Sequence, residues 1–187
     1  MGTNRYTRFE ERLLPVARKW AGNIPVWAAR LAGIDPSSIR HWAAGNPDVV
    51  GGLRGVYTWY CDDDGIDWDA TDTARFLAFA GPGAFLWGPS VLEFMDIGDV
   101  GGVDYDICVP KRRRPRYGVR WVVSDDDSDV VEYRGLRMQS LRRAVACAMP
   151  VLDRDKQDSV IVDIRSHFPS ERTFIDTIGA EYGFRAA

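Results

Sequence analysis

The sequence predicts an α+β protein, with an N-terminal winged helix-turn-helix followed by a mixed α/β domain that holds a small, largely antiparallel sheet. Three observations lead there. Residues 24–59 run as a short helix, a Gly-centred turn, a second short helix and then two β-rich pieces. Charge is divided along the chain: residues 1–61 hold eight Lys or Arg against four Asp or Glu, a net +4, while residues 62–187 hold sixteen against twenty-three, a net −7. Beyond residue 72, segments of helical period alternate with segments of strand period.

Residues 8–20 read as an opening helix with Phe9, Leu13, Val16 and Trp20 inward, and Pro15 either bends it or sets its start. Pro25 suits the first turn of the next helix, Ala28, Ala29, Leu31 and Ala32 favour helix, and Gly33 ends it. Asp35 and Pro36 then supply a capping oxygen and a first-turn proline for the second helix. Val49, Val50, Leu53, Val56, Tyr57 and Trp59 are strand formers, the Gly51–Gly52 pair permits a tight hairpin, and Arg54 falls near its tip. The polar, acidic residues 62–72 read as a linker, which sets the domains at 1–61 and 73–187. In the second, helices are expected over 72–80, 89–95, 141–148, 155–165 and 170–182, and strands over 104–110, 118–123 and 129–139 with a turn or bulge at Gly135.

Within the second helix, Ile39, Trp42 and Ala43 share one stripe at 3.6-residue spacing, so Ser37, Ser38, Arg40, His41 and Ala44 face outward. Small hydroxyls, one Arg and one His suit a major groove, where Arg forks onto guanine and Ser bonds a base or phosphate. Arg54 is placed for a phosphate or the minor groove. The plainer alternative is a solvated face on a packing unit that binds nothing.

A second basic feature is the run Lys111, Arg112, Arg113, Arg114, Pro115, Arg116, five cations in six residues between two expected strands. Such density can track phosphate, dock an acidic partner or simply form a solvated hairpin turn. The carboxylate clusters Asp62–Asp64 and Asp125–Asp127 with Asp129 lack calcium-loop spacing, so no metal is expected. Asp153, Asp155 and Lys156, and Glu132 with Arg134, lack the acid-x-Lys spacing of a nuclease, and neither His41 nor His167 sits in a triad pattern. The Gly81–Gly83 pair follows a helix rather than a strand and reads as a turn, not a dinucleotide loop. No enzyme activity and no cofactor are expected. A nucleic-acid enzyme such as a nuclease is the reading that these residues support least.

Cys61, Cys108 and Cys147 are odd in number, lack C-x-x-C spacing and fit reduced thiols. No stretch has the length of a membrane span, and the start of the chain, with Arg5, Arg8, Glu10 and Glu11, has no apolar signal core, so a cytoplasmic protein without a membrane partner is expected.

Four motifs recur in a known order. They are Arg54-Gly-Val-Tyr57, then Ala80-Gly-Pro-Gly-Ala84 with Leu86 and Ser90, then Val109-Pro110 with Arg112–Arg114, then Gly135-Leu136 with Ser140, Arg143 and Ala144. Over residues 20 to about 165 the chain thereby resembles the AbiEi-type antitoxins of bacterial type IV toxin–antitoxin systems. Trp87 and Gly88 stand where that family usually has Ser and His, and Leu141 replaces its usual proline. The resemblance implies a DNA-binding antitoxin that represses its own operon through inverted repeats in its promoter and counters a nucleotidyltransferase-like toxin. It further implies a monomer in solution or a dimer on DNA, since a palindrome presents two half-sites. The alternative of the same binding class is a transcriptional regulator or phage repressor with no toxin partner.

Overall fold

The computed structural model describes residues 6–102 and 104–184, so Arg5 lies outside the described residues. The chain is a mixed α+β protein that divides into two compact units, one reaching to Gly83 and including Tyr133–Leu136, the other holding Ala84–Glu132 and the residues from Arg137 on.

Helix α1 (Arg8–Lys19) opens the first unit with a reciprocal cap. The Thr7 N–H donates to Glu10 Oε2 at 2.8 Å, and the Glu10 N–H donates to Thr7 Oγ1 at 3.3 Å. Leu13, Leu14, Val16 and Ala17 are buried, and Pro15 sits on the exposed side inside the helix rather than at its start. Strand β1 (Asn23–Pro25) takes residues that the sequence pattern assigns to a helix start. A three-residue strand has no readable period, and its ladder partner lies more than thirty residues away. Helix α2 (Val26–Leu31) follows at once, ends at Ala32 and turns at Gly33, whose φ of +76° is a left-handed value that glycine takes without Cβ strain.

Helix α3 (Pro36–Gly45) precedes β2 (Val49–Leu53) and β3 (Val56–Trp59), and the antiparallel sheet has the order β1-β3-β2. The hairpin turn is Arg54–Gly55, not the glycine pair. Gly51 and Gly52 lie within β2, where the register shifts between Gly51 and Leu53, while Gly55 supplies the positive φ of +80° that a tight turn needs.

Residues 62–72, expected as a linker, lie inside this unit. Ile66 is buried in the same core as Leu13, Ile24, Ile39 and Trp59, and Asp63 forms a two-point ion pair with Arg18, both distances 2.9 Å. Helix α4 (Thr71–Ala80) packs on all three strands. The apolar spacing of Ile66 and Ala70 is masked in the sequence by the aspartates around them.

The second unit contains β4 (Phe85–Leu86), α5 (Pro89–Phe94), β5 (Tyr105–Val109), β6 (Val119–Val123), all but the last residue of β7 (Val130–Tyr133), all but the first residue of β8 (Leu136–Gln139), α6 (Leu141–Ala148), α7 (Arg154–His167) and α8 (Arg172–Glu181). Its sheet has the order β6-β5-β4-β8-β7. The β4–β5 pair is antiparallel, but β4–β8 and β5–β6 are parallel, so this sheet is mixed rather than largely antiparallel. Alternating apolar residues fit either strand direction, so the pattern alone does not choose. Leu92, Ile97, Ile107, Met149, Ile161 and Ile175 are among its fully buried side chains.

Candidate nucleic-acid interface

The α3 face is built from its first residue. The Asp35 carboxylate caps the helix, accepting from the Ser37 N–H at 2.7 Å, the Ser38 N–H at 3.2 Å and the Ser37 hydroxyl. The Ser37 hydroxyl leads the causes that hold the Asp35 carboxyl below its ordinary range, so the cap stays ionised. Ile39 is fully buried and Trp42 half-buried, with Trp42 edge-on to Trp59 at 5.3 Å and tilted against Phe9 at 5.9 Å. Those two anchors fix the helix rotation. Ser37, Ser38, Arg40, His41 and Ala44 then line the side turned away from the core, as the spacing requires.

The five positions are not equivalent. Ser37 donates its one hydroxyl proton to Asp35, so toward a ligand it offers lone pairs only. The Ser38 hydroxyl makes no hydrogen bond among the described residues. Arg40 folds back, its Nε–H donating to Pro36 O at 3.2 Å, and its release breaks one exposed hydrogen bond. Ser37, Ser38 and His41 border a shallow hollow floored by Phe9 and Trp42.

Arg54 stands exposed at the hairpin turn, as expected. The turn is short: Val56 pairs with Pro25, and Gly55 O accepts the Val26 N–H at 2.9 Å, so Arg54 sits beside the start of α2 rather than on a long free hairpin. Arg30 of α2 lines the same groove as Arg54, a cation that the sequence pattern alone does not single out.

In the second unit, Lys111, Arg112, Arg113, Arg114 and Arg116 are all exposed, and Tyr117 beside them is 88% exposed. They do not form a hairpin turn. The register runs parallel from Tyr105 opposite Val119 to Val109 opposite Val123, so residues 110–118 travel back along the length of the strands. The Arg113 guanidinium lies 5.4 Å from the Trp121 ring centre, and Trp121 Nε1–H donates to Arg114 O at 3.0 Å. Those contacts hold the segment against β6 and leave its cations in solvent.

Four of the carboxylate candidates take structural parts. Asp63 pairs with Arg18, Asp126 accepts from the Ser128 N–H at 3.1 Å, Asp127 pairs with Arg137 at 3.1 Å, and Asp153 caps α7. Arg134 of the E-x-R pattern binds Asp67, which lowers the Asp67 pKa. Among the described residues no group of three or more His, Cys, Asp or Glu is arranged to hold a metal ion. His167 is exposed, with Nδ1 at 3.1 Å from Asp163 O. Cys61 and Cys108 are buried and free of disulfides, and burial raises the Cys108 thiol pKa. Among the described residues no helix is long and apolar enough to cross a membrane.

A second cluster escapes the sequence pattern. Ser90, Glu93, Asp104, Asp106, Arg120 and Lys156 line a small polar cavity of about 210 Å³ in the second unit. Asp106 is buried and meets Arg120, its ladder neighbour, in a two-point ion pair. The signal for it, an Asp in the inward phase of a strand with an Arg in phase on the next, becomes legible only once the parallel register is known. Compared with known proteins, the chain matches no family model and no curated sequence.

Proposed function

We propose that the first unit is a winged helix-turn-helix that binds duplex DNA, and that the chain is an antitoxin that represses its own operon. The outward face of α3 carries this reading. Ser38, Arg40 and His41 stand on one side of a helix whose other side is fixed by Ile39 and Trp42. The order helix, strand, helix, helix, strand, strand, with β1 joined to the later hairpin, supports the winged arrangement. In such a complex α3 enters the major groove, Arg40 swings off Pro36 to a guanine edge, and Arg54 meets a phosphate. The net +4 of residues 1–61 favours the approach to DNA despite the acidic remainder.

The antitoxin half of the proposal is supported by the four motifs and concerns the second unit, where the exposed run Lys111–Arg116 offers a surface for a nucleotidyltransferase-like toxin or for phosphate. A regulator without a toxin would share every DNA contact and differ only there.

The test is a titration of the full chain against duplex from its own upstream region at two salt concentrations, with an unrelated duplex as reference. Tighter binding to the upstream duplex, weakening as salt rises, is the expected outcome. Equal affinity for both duplexes would sink the repressor reading. Rescue of growth when a nucleotidyltransferase encoded beside the gene is co-expressed then separates antitoxin from plain regulator.

A further inference from the structure

A groove of about 700 Å³ lies between α2, the β2–β3 turn and the C-terminal end of α4. Its walls are apolar, with Val26, Trp27, Leu31, Val56, Phe79 and Pro82 among them. Leu31 is 80% exposed at its rim, so the groove presents apolar surface that the core of the unit does not cover. The remaining recognition chemistry is cationic. Arg30 and Arg54 both line the groove, and neither guanidinium is engaged in a hydrogen bond or ion pair among the described residues. Other polar groups are already engaged: Trp27 Nε1–H donates to Ala78 O at 2.8 Å, Gly55 O accepts from Val26, and Val56 is paired in the ladder.

We propose that this groove binds a small amphipathic carboxylate, an aliphatic or aromatic body ending in an anion, and that such a ligand competes with DNA. The competition rests on the winged-helix reading. The volume falls within the roughly 300–1,000 Å³ of small-molecule sites. A carboxylate forks onto a guanidinium through two parallel hydrogen bonds, and an apolar body displaces water from the Trp27 and Phe79 walls. Arg54 is also the turn residue that would meet a phosphate, and Pro36, the first residue of α3, lines the same groove. A carboxylate on Arg54 therefore removes a cation from the DNA face, and by linkage DNA weakens the ligand by the same factor.

Calorimetric titration of the full chain with decanoate, without DNA, tests the site, using decanol and decyltrimethylammonium as references. Decanoate is expected to bind at least about tenfold more tightly than decanol, and the cationic amphiphile not to bind. Leu31→Glu places a like charge on an exposed rim position and should weaken decanoate by about tenfold or more with an unchanged unfolding midpoint. The double variant Arg30→Gln, Arg54→Gln should do the same. With the upstream duplex present, decanoate at about ten times its own Kd should raise the apparent duplex Kd by about tenfold, and decanol should not. Equal binding of all three amphiphiles, undiminished binding by Leu31→Glu, or a duplex affinity indifferent to saturating decanoate each overturns the proposal. Failure of the ligand-free chain to bind duplex at all would instead remove the winged-helix reading, and the DNA-free titration would still decide the carboxylate site.

Discussion

Asn23 and Thr58 share a buried hydrogen bond across the β1–β3 ladder, with Thr58 Oγ1–H donating to Asn23 Oδ1 at 2.7 Å. The Asn23 amide donates in turn to Trp20 O at 2.8 Å and to Thr71 O at 2.9 Å. One side chain thereby ties the end of α1, both strands and the start of α4. Asn23→Ala leaves the Thr58 hydroxyl without this partner, while Thr71 O keeps its helical N–H and Trp20 O keeps the residue-23 N–H, so at about 1–3 kcal/mol for a buried orphan the expected loss is about 2 kcal/mol. Chemical denaturation measures it. A variant as stable as the parent would mean that water satisfies this group and that the network does not hold the strand.

The adjoining Thr71 behaves oppositely. Its Oγ1 is buried without a hydrogen-bond partner, so the hydroxyl is desolvated with nothing to offset the penalty. Thr71→Val replaces it with a methyl group of similar shape and should leave stability unchanged or raise it by up to about 1 kcal/mol. A clear loss in the same denaturation series would reveal a partner for that hydroxyl in solution.

These two residues also show why part of the fold was hidden from the sequence. The rotation of α3 was legible because Ile39 and Trp42 recur at helical spacing, and the outward set Ser37, Ser38, Arg40, His41 and Ala44 follows from it. The cap at Asp35 was legible for the same local reason. Strand β1 was not, because Asn23 becomes a strand residue through partners at Thr58 and Thr71. Nor was the parallel course of 110–118, which depends on β5–β6 register rather than on any residue in the connection. The polar cavity followed the same fate, since Asp106 and Arg120 meet only in that register.

The α3 face makes a graded prediction. Arg40→Ala should weaken the upstream duplex by about 1–3 kcal/mol if Arg40 reads a base. Its one hydrogen bond among the described residues is exposed, so folding stability should change by less than about 0.5 kcal/mol. Ser38→Ala should weaken binding more than Ser37→Ala, because the Ser37 proton is committed to Asp35. Unchanged duplex affinity in Arg40→Ala would remove it from the interface.

Glu93 predicts a pH effect in the second unit. Glu93 as a whole is exposed, but desolvation of its carboxyl where it lines the polar cavity raises its pKa above the ordinary 4.5, against pulls from the Gly102 N–H and Lys156 and with a further push from Asp106; water around the rest of the side chain keeps the effect small. The folded state then binds the proton more tightly than the unfolded chain, so this group's contribution to stability falls as pH rises from 4.5 through the folded value. Glu93→Gln keeps an oxygen for Gly102 and abolishes the titration. It should unfold at a higher temperature than the parent at neutral pH, and the difference should vanish below about pH 4.5. A gain of equal size at both ends of the pH range would trace the effect to packing instead.

The basic run can be tested without disturbing the segment that carries it. Arg113 lies over Trp121, whereas Trp121 bonds Arg114 only through the main-chain carbonyl, so the side chains of Arg112 and Arg114 can be changed while both interactions persist. If both meet phosphate, Arg112→Gln with Arg114→Gln should reduce the slope of log K against log salt by about 1.8, at about 0.9 for each phosphate that the variant no longer neutralises. The measurement is the two-salt duplex titration extended to four or more concentrations, with folding checked by thermal unfolding. An unchanged slope together with failure of toxin rescue in cells would assign the run to a protein partner, because a surface that meets an acidic protein releases no counterions from DNA.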